Sequence, residues 1–339
     1  GSSWGERMRI HTDGNVGIND TSPDEKLDVG GAIHLTGDRA DGTEVGLYLS
    51  HASGIGEIIS NGADATTVGT LLLAVRESDG QNQNTALKLD SNSRISLSNN
   101  DSGDNNTIFG YNAGANFSAN NDNNVVIGHN ALDAADGTEG SNIAIGENAM
   151  SAVDEGSHGS ATGDDNVAIG YNALLGGSFG SSNLQLTGNI AIGSYALDAT
   201  GTSASTGTIA IGYQALTAQT ADSSSVAIGY QAGLANQTGS RNVIIGYQSG
   251  ITATDIDNAV LVGYQAGNAI NANGGDATVA IGYQALTALT SGTGNVAVGY
   301  QALTATATGQ YNTAVGYQAA DGLPDGAQSN TAIGYGALG

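Results

Sequence analysis

Cysteine is absent from this sequence, which excludes disulfides, thiolate nucleophiles and cysteine-type zinc sites together. Proline occurs only twice, so a collagen-like chain is excluded, and no Gly-X-Y period is present. Aromatic residues are 5% of the chain, too few for a large globular core of the usual kind. Small aliphatic side chains must do the packing, and that favours thin, layered cores. Basic residues are scarcer still. Eight Lys and Arg face 32 Asp and Glu, for a net charge of -24, whereas phosphate binding needs clustered cations. After Arg94 the only basic residue is Arg241, and the last glutamate is Glu155. No apolar run approaches the roughly 20 residues that span a bilayer. The opening GSSWGERMRI has no signal-peptide core, so the sequence reads as an interior stretch of a longer protein.

What is abundant is glycine, with 53 residues, and much of it is periodic. One column comprises Gly110, Gly128, Gly146, Gly170, Gly193, Gly212, Gly229, Gly246, Gly263, Gly282, Gly299, Gly316 and Gly334. The unit is about 17 residues, with two longer intervals between Gly146 and Gly193. Its core is seen in Asn166 to Leu174 (NVAIGYNAL), Thr278 to Leu286 (TVAIGYQAL) and Asn295 to Leu303 (NVAVGYQAL).

Alternation in this core predicts a short strand with two unlike faces. Val296, Val298 and Tyr300 form one face, read as the core stripe. Ala297, Gly299 and Gln301 form the other, read as a face that another chain approaches closely. Four residues before the glycine stands Asn, Thr or Ser in every unit but that of Ala259, and stacked side chains there predict a hydrogen-bonded ladder. A unit this short cannot bury itself alone, so stacking is required. The expected fold is all-β: a repetitive parallel β-roll or β-solenoid rod, about 60 Å long at the usual strand spacing. The small-residue face predicts a homotrimer, intertwined or side by side. The expected division is an N-terminal β neck over 1–30, a small β-rich domain over 31–103, and a thirteen-coil array over 104–339. In the middle segment, strands are expected at Ala32 to Leu35, Val45 to Leu49, Thr70 to Val75, Ala86 to Leu89 and Arg94 to Leu97.

The N-x-A-I-G-x-x-A run is similar to the head repeats of trimeric autotransporter adhesins, which are left-handed parallel β-rolls. The longer form, NTAVGYQAL with a final GYGALG, more closely resembles repeats in tail-fibre proteins of tailed bacteriophages. The phrase Glu6 to Ile10, with Asp13 to Ile18 and Ser22-Pro23, also resembles a phrase found in such fibres. The resemblance covers the array and the first thirty residues. It implies a non-enzymatic, extracellular structural fibre in a virion tail that serves host attachment. A bacterial surface adhesin or filament and a polysaccharide-depolymerising spike are the alternatives. The implied partners are other copies of the chain and a host surface glycan or protein, with no nucleic acid and no membrane insertion. The repeat is longer than the autotransporter unit, which leaves the biological owner open.

Candidate chemistry is sparse. The histidines His11, His34, His51, His129 and His158 show no metal-like spacing. The acid pairs Asp164-Asp165, Asp255 with Asp257, and Asp321 with Asp325 could serve a glycosidase, but each sits among Asn and Gly where turn formation explains it. No cofactor is expected beyond calcium. Asp101, Asp104 and Asp122, in Asn-rich runs, supply the hard oxygens that this cation takes. Tyrosine follows the column glycine in ten units, as a packing ladder or a sugar-binding row. Finally, the two long returns, Ser151 to Asp165 and Leu175 to Gly188, are the irregular surface. They place Asp154, His158, Phe179 and Leu184 as receptor-contact candidates.

Overall fold

The computed structural model describes residues 7–19, 22, 26–29, 71–76, 83–89, 93–96, 105–118, 120–154, 162–177, 185–200, 204–221, 224–271 and 275–339. The chain divides into two compact units, at 1–60 and 61–339. In the first, Met8–Ile10 pairs antiparallel with Val16–Ile18, which pairs in parallel with Leu27–Val29. Gly14, at φ +85°, makes the turn, and Asp13 Oδ1 accepts the Asn15 N–H at 3.0 Å. The expected strands at Ala32 to Leu35 and Val45 to Leu49 lie outside the described residues.

The second unit is a parallel β-solenoid. Thirteen strands, from Thr107–Tyr111 to Thr331–Ile333, stack in parallel in a single sheet. Most are three residues long and in strict register, as in Val296, Ala297 and Val298 against Thr313, Ala314 and Val315. At one end Ser93–Ser96 lies antiparallel to the first of them, and before it Leu71–Arg76 and Gln83–Leu89 form an antiparallel pair with a bulge. These three strands match the last three strands expected in the middle segment. Among the described residues no helix is long and apolar enough to cross a membrane.

The core is the reverse of the sequence expectation. Ala297 is fully buried, whereas Val296 and Val298 are only half-buried, and Tyr300 is 41% exposed. The same holds along the sheet. The central residue of each three-residue strand points into the solenoid and its two β-branched neighbours point out. The reason is thickness. A coil of about 17 residues folded back on itself leaves room for Ala between its walls, not for two columns of Ile and Val.

The column glycine is equally internal to the chain. All thirteen have φ between +125° and +142°, and a Cβ on Gly229 would stand 2.5 Å from the Gly246 carbonyl oxygen. A backbone does approach this position closely, but it is the next coil of the same chain. The corner then needs two left-handed residues, such as Gln301 at φ +52° and Leu303 at +54°. Each costs about 1 kcal/mol in a non-glycine residue, and coil-to-coil bonding offsets it. Gln301 donates to Tyr283 O at 2.9 Å, and Leu303 to Ala319 O at 2.9 Å.

The amide ladder four residues before the glycine is present. Asn124, Asn142 and Asn166 are each buried. The backbone N–H of Asn142 donates to Asn124 Oδ1 at 2.8 Å, and that of Asn166 to Asn142 Oδ1 at 3.0 Å. The freed Nδ2 of Asn142 donates across the interior to Gly163 O at 2.7 Å. The buried asparagine corners are thus satisfied from coil to coil, whereas Thr278, in the same column, has its Oγ1 buried without a protein partner.

Candidate recognition surfaces

Three columns run along the outer side of the solenoid. The first two are the outward residues of the strands, from Val125 and Ile127 through Val226 and Ile228 to Val296 and Val298. Ile127, Ile228 and Ile281 remain 37–38% exposed. They make a continuous aliphatic stripe two residues wide and about 43 Å long at ordinary strand spacing. Soluble monomers rarely leave such a stripe open to water.

The third column is aromatic. From Tyr230 to Tyr335 the rings stack with centroids 4.9–5.3 Å apart and planes within 10° of parallel. Because both faces of each inner ring lie against a neighbour, the row presents edges and hydroxyls outward. Sugar stacking uses a ring face, so the ladder geometry fits packing. Three coils lack the tyrosine: His129 and Glu147 hold its place in two of them. In the third, Ser194 takes the tyrosine place, and Tyr195, from the neighbouring column, swings in. Its ring meets Tyr171 edge-on at 5.2 Å and Tyr213 at 6.2 Å.

Beside the rings runs a second amide ladder, Asn at first and Gln later. Asn148 Nδ2 donates towards the C-terminal end, to Asn172 Oδ1 at 3.1 Å. Gln231 Nε2 donates the opposite way, to Gln214 Oε1 at 2.9 Å. The two runs of opposite polarity meet at the coil of Tyr195, which occupies the amide position between them. The sequence shows the Ser194-Tyr195 exchange, but the reversal of polarity has no sequence signal.

The aspartates of the returns bind the backbone. Asp325 Oδ1 accepts from Thr308 Oγ1 at 2.8 Å and from Thr308 N–H at 2.7 Å, which lowers its pKa. Asp257 Oδ1 takes Ser240 Oγ and N–H at 2.8 and 2.7 Å, with the same effect. Asp255 Oδ1 accepts from Thr238 Oγ1, and Asp164 Oδ1 from Gly140 N–H at 2.8 Å. Burial raises Asp164, while Asp165 beside it is exposed and Asp321 is half-buried. Asp164, Asp255, Asp257 and Asp325 are coil-to-coil acceptors, each bonded to a neighbouring coil and not to its paired aspartate. Asp198 is different: burial pushes its carboxyl up to about 6, and its Oδ1 is buried without a protein partner.

Of the calcium candidates, Asp101 and Asp104 lie outside the described residues. Near Asp122 the asparagines are engaged with Glu139, which sequence reading passed over. Glu139 is fully buried, its Oε2 accepting from Asn121 Nδ2 at 2.8 Å and from Gly137 N–H at 3.0 Å. Among the described residues no group of three or more His, Asp or Glu is arranged to hold a metal ion. His129 stacks on Tyr111 with centroids 5.5 Å apart and has Glu147 at 3.8 Å, continuing the ring column by other means.

Of the receptor-contact candidates, His158, Phe179 and Leu184 lie outside the described residues. Asp154 is half-buried beside Asp136 on the neighbouring coil. Burial, then the hydrogen bond and negative charge of Asp154, raise the Asp136 carboxyl. The far ends of the two long returns rejoin the fold together. Thr162 bridges to Gln185, Leu186 is fully buried, and Leu186–Thr187 pairs in parallel with Ser205–Thr206. Comparisons of the chain with family models, with curated proteins and with solved structures return no match.

Proposed function

We propose that this chain is a structural module of an extracellular attachment fibre, of the phage tail-fibre kind. In this reading three copies pack side by side through their aliphatic stripes. The observation that carries it is the pairing of a uniform ladder with that uncovered stripe. A surface repeating every coil over thirteen coils is matched along its length by another ladder of the same period, and a second copy supplies one. Each Val or Ile passing from half-exposed to buried adds on the order of 1 kcal/mol, so association grows with the number of coils. The partner-facing surface is then the Ile and Val face and not the Ala and Gly face expected from the sequence.

Uniformity also favours a scaffold over a catalyst, since the return carboxylates are bound to backbone donors. Attachment is assigned to the long returns, the one break in the period, with a bacterial surface adhesin as the same architecture under another owner. The test is binding of the purified protein to cells and to capsular polysaccharide. Variants with both long returns cut to the common unit should keep their mass and circular dichroism and bind less. Equal binding places recognition elsewhere, and release of oligosaccharide would identify a depolymerase instead.

A further inference from the structure

Seven residues beyond the column glycine the chain turns a side chain into the solenoid. In six of the twelve coils that have this position the residue is apolar and buried, as with Ala253, Ile270 and Leu289, and the buried Thr306 donates its hydroxyl to Leu323 O at 3.4 Å. In three successive coils it is Thr200, Gln219 and Asn236, which are 2%, 0% and 0% exposed.

The two amides have fixed orientations. Gln219 Nε2 donates to Ala221 O at 2.9 Å and Gln237 O at 3.0 Å, so its Oε1 must find a partner elsewhere. Asn236 Oδ1 accepts the Gly239 N–H at 2.9 Å, which leaves its Nδ2 to be satisfied. Thr200 Oγ1, Gln219 Oε1 and Asn236 Nδ2 are all buried and have no hydrogen-bond partner in the protein. These are three of the five such side-chain atoms among the described residues, and they fall on consecutive rungs. Leaving each unsatisfied would cost about 1–3 kcal/mol. Elsewhere in the solenoid, buried amides such as Asn142 are engaged at both ends, Oδ1 by the Asn166 N–H and Nδ2 by Gly163 O.

We propose that Thr200, Gln219 and Asn236 form an internal hydration site, in which buried water bridges neighbouring coils. Water accepts from Asn236 Nδ2, donates to Gln219 Oε1, and either gives to or takes from Thr200 Oγ1. A metal ion fits poorly, because the amide NH2 presents positive hydrogens and the two oxygens are neutral. Buried waters typically make about three hydrogen bonds to groups that lack other partners, and this cluster offers three.

The direct test is a crystal structure of the unmodified protein at a resolution that shows water. The expected result is ordered density at about 3 Å from Gln219 Oε1 and Asn236 Nδ2. A direct bond between those two atoms, or density at metal–oxygen distance, overturns the proposal. In solution, oxygen-17 relaxation dispersion counts long-lived internal water. Gln219→Leu with Asn236→Ala installs residue types native to this column at Leu289 and Ala253, and should lose at least one such water relative to the parent. An unchanged count in a folded double variant contradicts the site.

Discussion

Gly250 and Leu261 fill one space from two coils: a Cβ on Gly250 would lie 2.8 Å from Leu261 Cδ1. Four residues beyond the column glycine most coils carry leucine, as at Leu216, Leu286 and Leu303, opposite an inward alanine in the strand. Where the inward residue is Ile244 or Leu261, that place is taken by Gly250 or Gly267, and Gly114 accompanies Ile108 in the same way. At these glycines volume is traded between the two positions, within a coil and between neighbours, since Gly233, beside Ala227, faces Ile244 of the next coil.

Gly250→Leu should therefore overpack the coil and destabilise it by about 1–3 kcal/mol. The backbone is not the obstacle, since Leu286 and Leu303 hold the same left-handed conformation at φ +55° and +54°. Combining it with Leu261→Ala should recover a good part of the loss. A double-mutant cycle from denaturant unfolding checks this, and additive effects would mean that the two residues do not share the space.

Glycines in this chain divide by what lies beside them. Gly229→Ala should be severely destabilising, because φ is +137° and the Gly246 carbonyl stands in the way. Gly207→Asn should stay within about 0.5 kcal/mol of the parent. Its φ is +66°, nothing lies within 4 Å of an added Cβ, and Asn258 occupies the equivalent place at φ +58°. Thermal melts of the two variants measure the contrast.

Stability should depend on pH through Asp198. Its folded pKa of about 6 lies above the ordinary 3.8, so the folded state holds the proton more tightly. That contribution is complete below pH 3.8 and is lost as pH rises through about 6. Asp133 and Asp164, raised by burial, act in the same direction. Asp198→Asn should flatten the fall in melting temperature between pH 4 and 7, and Asn268 already occupies this column position in another coil. An unchanged slope would assign the dependence to other groups.

The period, the glycine column, the parallel coils and the buried asparagine ladder were all legible, because each is a repeated residue type at a fixed place. Which face of the strand is inside was not. Val296, Ala297 and Val298 alternate equally well either way, and hydrophobicity alone puts valine in the core. The deciding quantity is the thickness of the coil, and the sequence reports it only through the exchange of Ile244 and Leu261 against Gly250 and Gly267. The orphaned atoms of Gln219 and Asn236 were invisible for a different reason. They depend on which end of each amide the return has already engaged.

The central claim is that the aliphatic stripe is covered by other copies of the chain. Multi-angle light scattering on the purified protein should report three chains. Replacing Ile228 and Ile245 by aspartate, both outward and half-exposed or nearly so, should reduce the mass to one chain while the β circular dichroism persists. A parent protein that runs as a stable monomer, or a trimer whose mass the aspartates leave unchanged, would contradict the account.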